Sequence, residues 1–201
     1  MANTNLILAS QSPRRKQLLE WAELVFTVVA RTTDETYPSD IPITEVPIYI
    51  ARQKAIATND FLDEAYHKQY SDKTILAADT IVVVDDHIIN KPTNRKDAIR
   101  MLTLLSGRKH KVITGVVLHT DHQQVAFSEI TEVEFFPLTP SQIEFYIDKY
   151  KPFDKAGAYA IQEWIGVVGI KSIKGDFYNV MGLPISRVIQ ELEDLAGYDA
   201  T

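Results

Sequence analysis

The sequence predicts an α/β protein built on a mixed β-sheet that is flanked by helices. In the first half of the chain, short apolar and β-branched runs alternate with segments whose apolar residues recur at helical spacing. In the second half, two long strand-like segments flank a polar turn at Asp121 and His122. Residues that favour helix starts, such as proline, serine and asparagine, stand where the helical patterns begin.

Two strands and two helices are predicted over the first third of the chain. Ser12 suits the N-cap of the first helix, and Pro13 suits its first helical position because proline needs no hydrogen bond there. The expected order is a buried strand at 5–9, a helix from Pro13 through Trp21, a strand at 24–30, a polar loop at 31–42 and a helix at about 45–66.

The remaining elements follow from turn and capping residues. Asn94 caps a helix, with Asp97 three positions on as a capping-box variant, and Gly107 ends it. We expect a hairpin over 73–92 that turns at Asp85–His87, strands at 111–120 and 124–136, a helix from Thr139 to about Tyr150, a glycine-rich stretch of strand or loop at 154–184 and a final helix at about 186–195. With no linker, repeat or low-complexity segment in view, we predict one domain over 1–201.

Composition excludes several classes of function. The chain has 201 residues and a formal net charge of −6, which disfavours general binding to nucleic acid or to an anionic membrane. It has no cysteine, so disulfides, cysteine-ligated zinc and thiol catalysis are excluded. Neither a signal-peptide pattern nor an apolar run long enough to cross a bilayer occurs. We therefore expect a cytoplasmic protein without nucleic-acid or membrane partners.

Donor groups and positive charge gather at the predicted entrance of the first helix, in the stretch "ASQSPRRKQLL". A helix N-terminus offers free backbone N–H groups and a partial positive charge. Ser10 and Ser12 add hydroxyls, while Arg14 and Arg15 add guanidinium forks that suit phosphate oxygens. This pattern is consistent with an anion site, but taken alone it is a weak signal, and ordinary capping beside a solvated charged face is the more common explanation.

Other polar residues stand at unusual positions, and each has an ordinary alternative. Asp79 interrupts an apolar strand, where a carboxylate needs a partner unless it caps a turn, and Thr80 beside it is a good strand former. Lys54 falls on the apolar stripe of its helix, but its stem can reach solvent. Lys91 is an ordinary turn lysine and Glu35 an ordinary loop residue when each is taken alone.

Several sequence blocks together resemble the Maf family of nucleoside triphosphate pyrophosphatases, from about Leu6 to Leu192. The blocks, in chain order, are "LASQSPRRKQLL", "ARQKA", "AADTIVVVDDHIINKP", "MLTLLSGRKHKVITGV", "DKAGAYAIQ" and "GDFYNVMGLP". The resemblance implies an elongated mixed sheet with two lobes around a nucleotide-binding cleft, similar to inosine triphosphatases, and an assembly that is often a homodimer. It also implies hydrolysis of a nucleoside triphosphate to the monophosphate and pyrophosphate with a divalent cation, Mg²⁺ or Mn²⁺.

The resemblance also implies a role for individual residues. Asp79, in the A-D-T block, corresponds to the family's proton acceptor. The remaining implied roles are base specificity for Arg14, Thr80 and Gln162, phosphate binding for Ser10, Ser12, Arg15, Lys54 and Lys91, and metal binding for Glu35 and Asp79. Gln11 departs from the glycine that many relatives carry between the two serines.

The combination of Arg14, Thr80 and Gln162 resembles the branch of the family that acts on dTTP and UTP. We therefore expect a dTTP/UTP pyrophosphatase that could also remove modified pyrimidine nucleotides from the pool and act in cell-division arrest. The alternative is a non-enzymatic, nucleotide-sensing regulator of septum formation, which would keep the phosphate ligands without needing the base.

Overall fold

The computed structural model describes residues 5–66, 70 and 72–198. Seven strands in this part of the chain form one sheet, in the order β2-β1-β3-β5-β6-β7, with β4 paired to β3. They are β1 (Asn5–Leu8), β2 (Phe26–Val28), β3 (Lys73–Val84), β4 (His87–Ile89), β5 (Lys109–His119), β6 (Gln124–Phe135) and β7 (Ile170–Lys174). β1 pairs in parallel with β2 and β3, whereas the β3–β4 and β6–β7 pairs are antiparallel. The predicted mixed α/β class is therefore confirmed.

Helices are interspersed with these strands along the chain. They are α1 (Pro13–Trp21), α2 (Val46–Tyr66), α3 (Arg95–Leu105), α4 (Pro140–Tyr150), a 3-10 turn (Ala156–Ala158), α5 (Trp164–Gly169), α6 (Phe177–Met181) and α7 (Ile185–Tyr198). No helix among the described residues combines the length and apolar character that crossing a bilayer requires.

The capping residues predict the helix starts well. Asn94 accepts a hydrogen bond from the backbone N–H of Asp97 at 3.0 Å, as predicted for a capping box. The reciprocal bond is shifted by one position, because the Asp97 carboxylate accepts from the N–H of Thr93 at 3.1 Å. Ser12 occupies the N-cap of α1 and Pro13 its first position, but the Ser12 side chain makes no capping bond there.

The prediction of strand or loop over 154–184 is wrong in part. This stretch contains the 3-10 turn, α5 and α6 as well as β7. The helices are only 3 to 6 residues long, so they show no helical period in the sequence. Val167 and Val168 also favour the prediction of a strand, because β-branched residues are enriched in strands.

The chain divides into two compact units. The first comprises Met1–Asp79, Thr114–Ser128 and Gly182–Thr201, and the second comprises Thr80–Ile113 and Glu129–Met181. The single domain predicted over 1–201 stays a prediction, and it includes positions outside the described residues.

In the first unit, α2 packs against the sheet. Its buried residues Ala51, Ala55 and Leu62 join a core cluster with Ile7 and Ile75. The approach is close, since a Cβ built on Gly115 of β5 would lie 2.2 Å from the backbone nitrogen of Ile48. Glycine at this position therefore lets the helix and the strand touch.

In the second unit, α3 buries the apolar face that its sequence predicts, consisting of Ala98, Met101, Leu102 and Leu105. The hairpin between β3 and β4 turns at Asp85 and Asp86, whose φ angles of 47° and 59° are typical of a tight two-residue hairpin turn. This turn ends the strand that carries the candidate catalytic aspartate.

Candidate functional site

Seven of the ten predicted site residues belong to the first unit, and four of those seven lie at the start of α1. β1 ends at Leu8, and the chain then passes through Ser10 and Ser12 into the helix. The buried hydroxyl of Ser10 accepts hydrogen bonds from the N–H of Ser12 at 3.3 Å and from Nη1 of Arg15 at 3.0 Å. These bonds fix the loop that leads into the helix N-terminus, where backbone N–H groups can meet an anion.

Arg15 is the most buried cation of this region, with 7% of its surface exposed. Its Nε donates to the carbonyl of Gly182 at 2.7 Å, and its Nη1 donates to the carbonyl of Ala78 at 2.8 Å. Burial lowers the pKa of Arg15, and the nearby charge of Asp79 acts in the opposite direction. The sequence suggested only a phosphate ligand here, whereas the contacts show that Arg15 also ties α1 to the strand that carries Asp79.

The sequence did not predict the contact between Gly182 and Arg15. The φ angle of Gly182 is +116°, a backbone conformation that L side chains rarely adopt. The block "GDFYNVMGLP" contains this glycine, but nothing in the pattern indicates that its carbonyl would face an arginine 167 residues earlier in the chain.

Lys54 lies between two of the predicted acidic residues. Its Nζ is 2.7 Å from Oδ1 of Asp79 and 2.8 Å from Oε1 of Glu35. The side chains of Lys54 and Asp79 are 16% and 13% exposed, so this ion pair is largely shielded from water. Glu35 is 47% exposed at its side chain, so it contacts the ammonium from the solvent side. Lys54 lies on an apolar stripe and Asp79 in an apolar strand. Their burial is explained because the two side chains form an ion pair with each other.

Arg14 and Thr80 lie beside this cluster in the sequence, and both are half-buried. The positive charge of Arg14 is close enough to Arg15 to contribute to the lowering of its pKa. Thr80 follows Asp79 in β3, and successive side chains of a strand point to opposite faces. Asp79 and Thr80 therefore project to different sides of the sheet.

Lys91 and Gln162 lie in the second unit, and both side chains are exposed. The N–H of Gly157 donates to the carbonyl of Asn90 at 3.2 Å, so the residue before Lys91 is bonded to the segment that leads to Gln162. Gly157 has a φ of +68° and lies against Val82, where a Cβ would be 3.1 Å from a methyl group. The two predicted residues are thus carried on adjacent backbone segments.

Glu35 and Asp79 supply the oxygen donors that a divalent cation prefers. Among residues 5–66, 70 and 72–198, no cluster of three or more histidine or acidic side chains could hold a metal alone. Both carboxylates nevertheless contact one ammonium, so they are close enough together to bind a single cation. Mg²⁺ typically uses one or two carboxylates together with substrate phosphates, and this donor set fits that pattern.

Comparison with known proteins places the chain in a family. The family model described as Maf-like protein matches residues 5–195. The dTTP/UTP pyrophosphatase of Cytophaga hutchinsonii is 49% identical over 96% of this chain and 85% of its own length. The dTTP/UTP pyrophosphatases of Bacteroides thetaiotaomicron and Parabacteroides distasonis are 46% and 47% identical, each over 94% of this chain and over 95% and 94% of their own lengths.

The fold is that of an α/β protein in which helices flank a mixed sheet. The chain belongs to the Maf family, as the sequence blocks predicted. Among solved structures, the Staphylococcus aureus Ham1 protein aligns with a TM-score of 0.44 at 13% identity over 66% of this chain and 72% of that chain, a likeness too slight to inform the site.

Proposed function

We propose that this protein hydrolyses dTTP and UTP to the corresponding monophosphate and pyrophosphate. Its relatives at 46–49% identity carry the name dTTP/UTP pyrophosphatase and align over nearly the whole chain. The structural observation that carries the proposal is the contact of Lys54 with both Asp79 and Glu35 in the unit that also holds the Ser10–Arg15 loop. A cation between two carboxylates, near an anion-binding helix start, suits a triphosphate and its counter-ion.

The triphosphate lies at the N-terminus of α1 in this proposal. Ser10, Ser12 and the backbone N–H groups of the first turn donate to phosphate oxygens, while Arg15 supports the loop and adds charge. Lys54 and Lys91 neutralise further phosphate charge. Such positioning and charge stabilisation supply most of the rate in phosphoryl-transfer chemistry.

Asp79 acts as the general base. Lys54 engages Oδ1 of the carboxylate, and we assign Oδ2 to the attacking water. Asp79 takes a proton as the water oxygen bonds to the α-phosphorus, and the bond between that phosphorus and the bridging oxygen breaks. The bridging oxygen leaves on pyrophosphate, and the nucleoside monophosphate carries the new oxygen.

Glu35 and Asp79 would hold the divalent cation, Mg²⁺ or Mn²⁺, which supplies neutralisation of phosphate charge when it is bound. Arg14, Thr80 and Gln162 select the base. An amide such as that of Gln162 can donate to and accept from a pyrimidine edge, and a site built to pair such an edge rejects bases that leave its polar groups unpaired.

A substrate panel tests the proposal directly. Pyrophosphate release is measured with dTTP, UTP, CTP, ATP and GTP in the presence of Mg²⁺ or Mn²⁺. We expect dTTP and UTP to have the highest kcat/KM and the products to be pyrophosphate and monophosphate. Preference for a purine triphosphate would contradict the base assignment.

The alternative, a nucleotide-sensing regulator of septum formation, makes a different prediction for the same panel. It would bind dTTP or UTP without releasing pyrophosphate. The presence of Asp79 in contact with Lys54 favours the enzyme, because a sensor needs no general base. We also propose a cytoplasmic setting, where these nucleotides serve as substrates, and a homodimer, which light scattering of the purified protein would test.

A further inference from the structure

The segment that carries Gln162 is a short turn closed on itself. The N–H of Glu163 donates to the carbonyl of Ala160 at 3.1 Å, which brings the two ends of the turn together. Ala158, Tyr159, Ala160 and Ile161 are all buried, whereas Gln162 is exposed. The turn therefore presents one polar side chain from an otherwise buried stretch of backbone.

A single hydroxyl holds both ends of this turn. The N–H of Ala160 donates to Oη of Tyr146 at 3.1 Å, and the Tyr146 hydroxyl donates to the carboxylate of Glu163. The second bond is assisted by the charge of the acceptor, and such bonds are stronger than those between neutral groups. Tyr146 thus bonds to the residue two before Gln162 and to the residue directly after it.

Tyr146 itself is rigidly placed. It is fully buried in α4, and its ring stacks on that of Tyr150 at a centroid distance of 5.1 Å. α4 begins with a complete capping box between Thr139 and Gln142, which satisfies its first backbone donors. A buried hydroxyl must be hydrogen-bonded, so the ring position and the turn position constrain each other.

Two further contacts restrict the same turn. Nζ of Lys155 lies 3.7 Å from Oε1 of Glu163 and 2.7 Å from Oδ1 of Asp154, which adds a cation beside the carboxylate that Tyr146 bonds. Gly166 in the first turn of α5 approaches so closely that a Cβ there would lie 1.6 Å from the carbonyl oxygen of Ile161. The backbone before and after Gln162 is therefore held on both sides.

We infer that Tyr146, acting through Ala160 and Glu163, is a positioning residue that orients Gln162 for selection of the base. This inference rests on the proposed function, in which Gln162 contacts the pyrimidine. A flexible glutamine loses rotamer and backbone freedom when it binds, so an anchored turn reduces the entropic cost of pairing with the correct base. The proposed phosphate ligands Ser10, Ser12 and Arg15 belong to the first unit, whereas this turn belongs to the second.

The test removes one oxygen atom. Tyr146→Phe keeps the buried ring but deletes both bonds to the turn, and Tyr150→Phe removes a hydroxyl from the neighbouring stacked ring as a matched control. Values of kcat/KM are measured for dTTP, UTP, CTP and ATP, together with hydrogen exchange of the amides from 160 to 163. We expect Tyr146→Phe to lower kcat/KM for dTTP and UTP by about tenfold, chiefly through KM, while CTP and ATP change by less than about twofold.

If Tyr146 only stabilised the fold, Tyr146→Phe would not reduce the preference for dTTP and UTP over CTP and ATP. An equal loss for all four nucleotides, or no change for dTTP, would overturn the inference. Exchange of the Ala160 amide should also be faster in Tyr146→Phe than in Tyr150→Phe, and equal exchange would overturn the inference as well. If the wild-type protein shows no preference for dTTP and UTP, the proposed function fails, and the exchange measurement still decides whether Tyr146 holds the turn.

A second pair of variants covers the case in which Tyr146→Phe does not fold. Glu163→Gln keeps an acceptor for the Tyr146 hydroxyl, whereas Glu163→Ala removes it. We expect the glutamine variant to retain most of the preference for dTTP over CTP and the alanine variant to lose it. Equal preferences in the two variants would contradict the positioning role.

Discussion

Arg15 donates from Nη1 to the carbonyl oxygen of Ala78 at 2.8 Å, and Ala78 directly precedes Asp79 in β3. The same guanidinium bonds the hydroxyl of Ser10 at 3.0 Å. One buried cation thus joins the loop that we assign to the phosphates and the strand that carries the proposed base. The relative position of these two parts depends on the planar fork of an arginine, which a lysine cannot reproduce.

Loss of the Arg15 guanidinium should destabilise the fold. We expect Arg15→Ala to lower the free energy of unfolding by about 3 kcal/mol, because buried carbonyl groups of Ala78 and Gly182 lose their donor. Arg15→Lys keeps the charge without the fork, and a loss of about 2 kcal/mol is expected. Urea unfolding measures both. Lys16→Ala, an exposed change on the same helix, should stay within about 0.5 kcal/mol, and an equally small effect for Arg15→Ala would contradict the account.

Removal of the Lys54 ammonium should weaken catalysis. Lys54→Met leaves Asp79 and Glu35 without the cation between them and removes a proposed phosphate contact. We expect kcat/KM for dTTP to fall by about a hundredfold, which corresponds to about 2.7 kcal/mol. Arg52→Ala is a matched control on α2, since Arg52 bonds Gln124 instead of the acidic pair. Unchanged kcat and KM in Lys54→Met would remove Lys54 from the mechanism.

Glu35 should determine in part the concentration of divalent cation that the reaction needs. Chelation of the metal should stop pyrophosphate release from dTTP. Glu35→Gln should raise the Mg²⁺ concentration for half-maximal activity by about tenfold, because one of two proposed carboxylate ligands loses its charge. Asp40→Asn, an exposed change in the same loop, should leave the Mg²⁺ titration unaltered. Activity that persists in excess chelator would refute the metal assignment.

His110 should make the stability of the protein depend on pH. It is buried against Phe135 and Tyr159, and burial lowers its pKa from 6.5 to about 4. The unfolded chain therefore takes up a proton at higher pH than the folded chain does. The stabilisation is complete above about pH 6.5 and is lost as the pH falls toward about 4.

The size of this effect can be measured by urea unfolding at pH 7.5 and 4.5. His110 should account for a loss of about 2 to 3 kcal/mol between these values. His110→Phe should flatten that part of the profile, whereas His122→Gln at an exposed turn should leave it in place. A wild-type profile that His110→Phe does not change would show that other groups govern the acid sensitivity.

The sequence predicted the regular parts of the fold because their signals are local. Periodic apolar residues marked α2 and α3, and Asn94, Thr139 and Pro140 marked helix starts that the structure confirms. The short helices α5 and α6 were not predicted because 5 or 6 residues are too few for apolar residues to recur at helical spacing. Their positions depend on tertiary contacts, such as the hydrogen bonds of Gly169 with Phe136 and of Asn179 with Val112.

The site was predictable in its residue types but not in its geometry. Lys54 and Asp79 each looked anomalous alone. Only the packing of α2 near the middle of β3 shows that they form an ion pair across 25 residues. Arg15 shows the opposite case. The residues next to it in the sequence suggest an exposed phosphate ligand. In the structure Arg15 is buried and bonds Gly182, which lies far away along the chain. Long-range contacts of this kind have no local signature.

The most direct test of the central claim is the turnover of Asp79→Asn with dTTP and saturating Mg²⁺. Asparagine keeps the size of the side chain but cannot take a proton from water at neutral pH. We predict that kcat falls by about 10² to 10⁴, while the folded variant still binds dTTP with an affinity within a few fold of the wild type. A folded Asp79→Asn protein that releases pyrophosphate at nearly the wild-type rate would contradict the account.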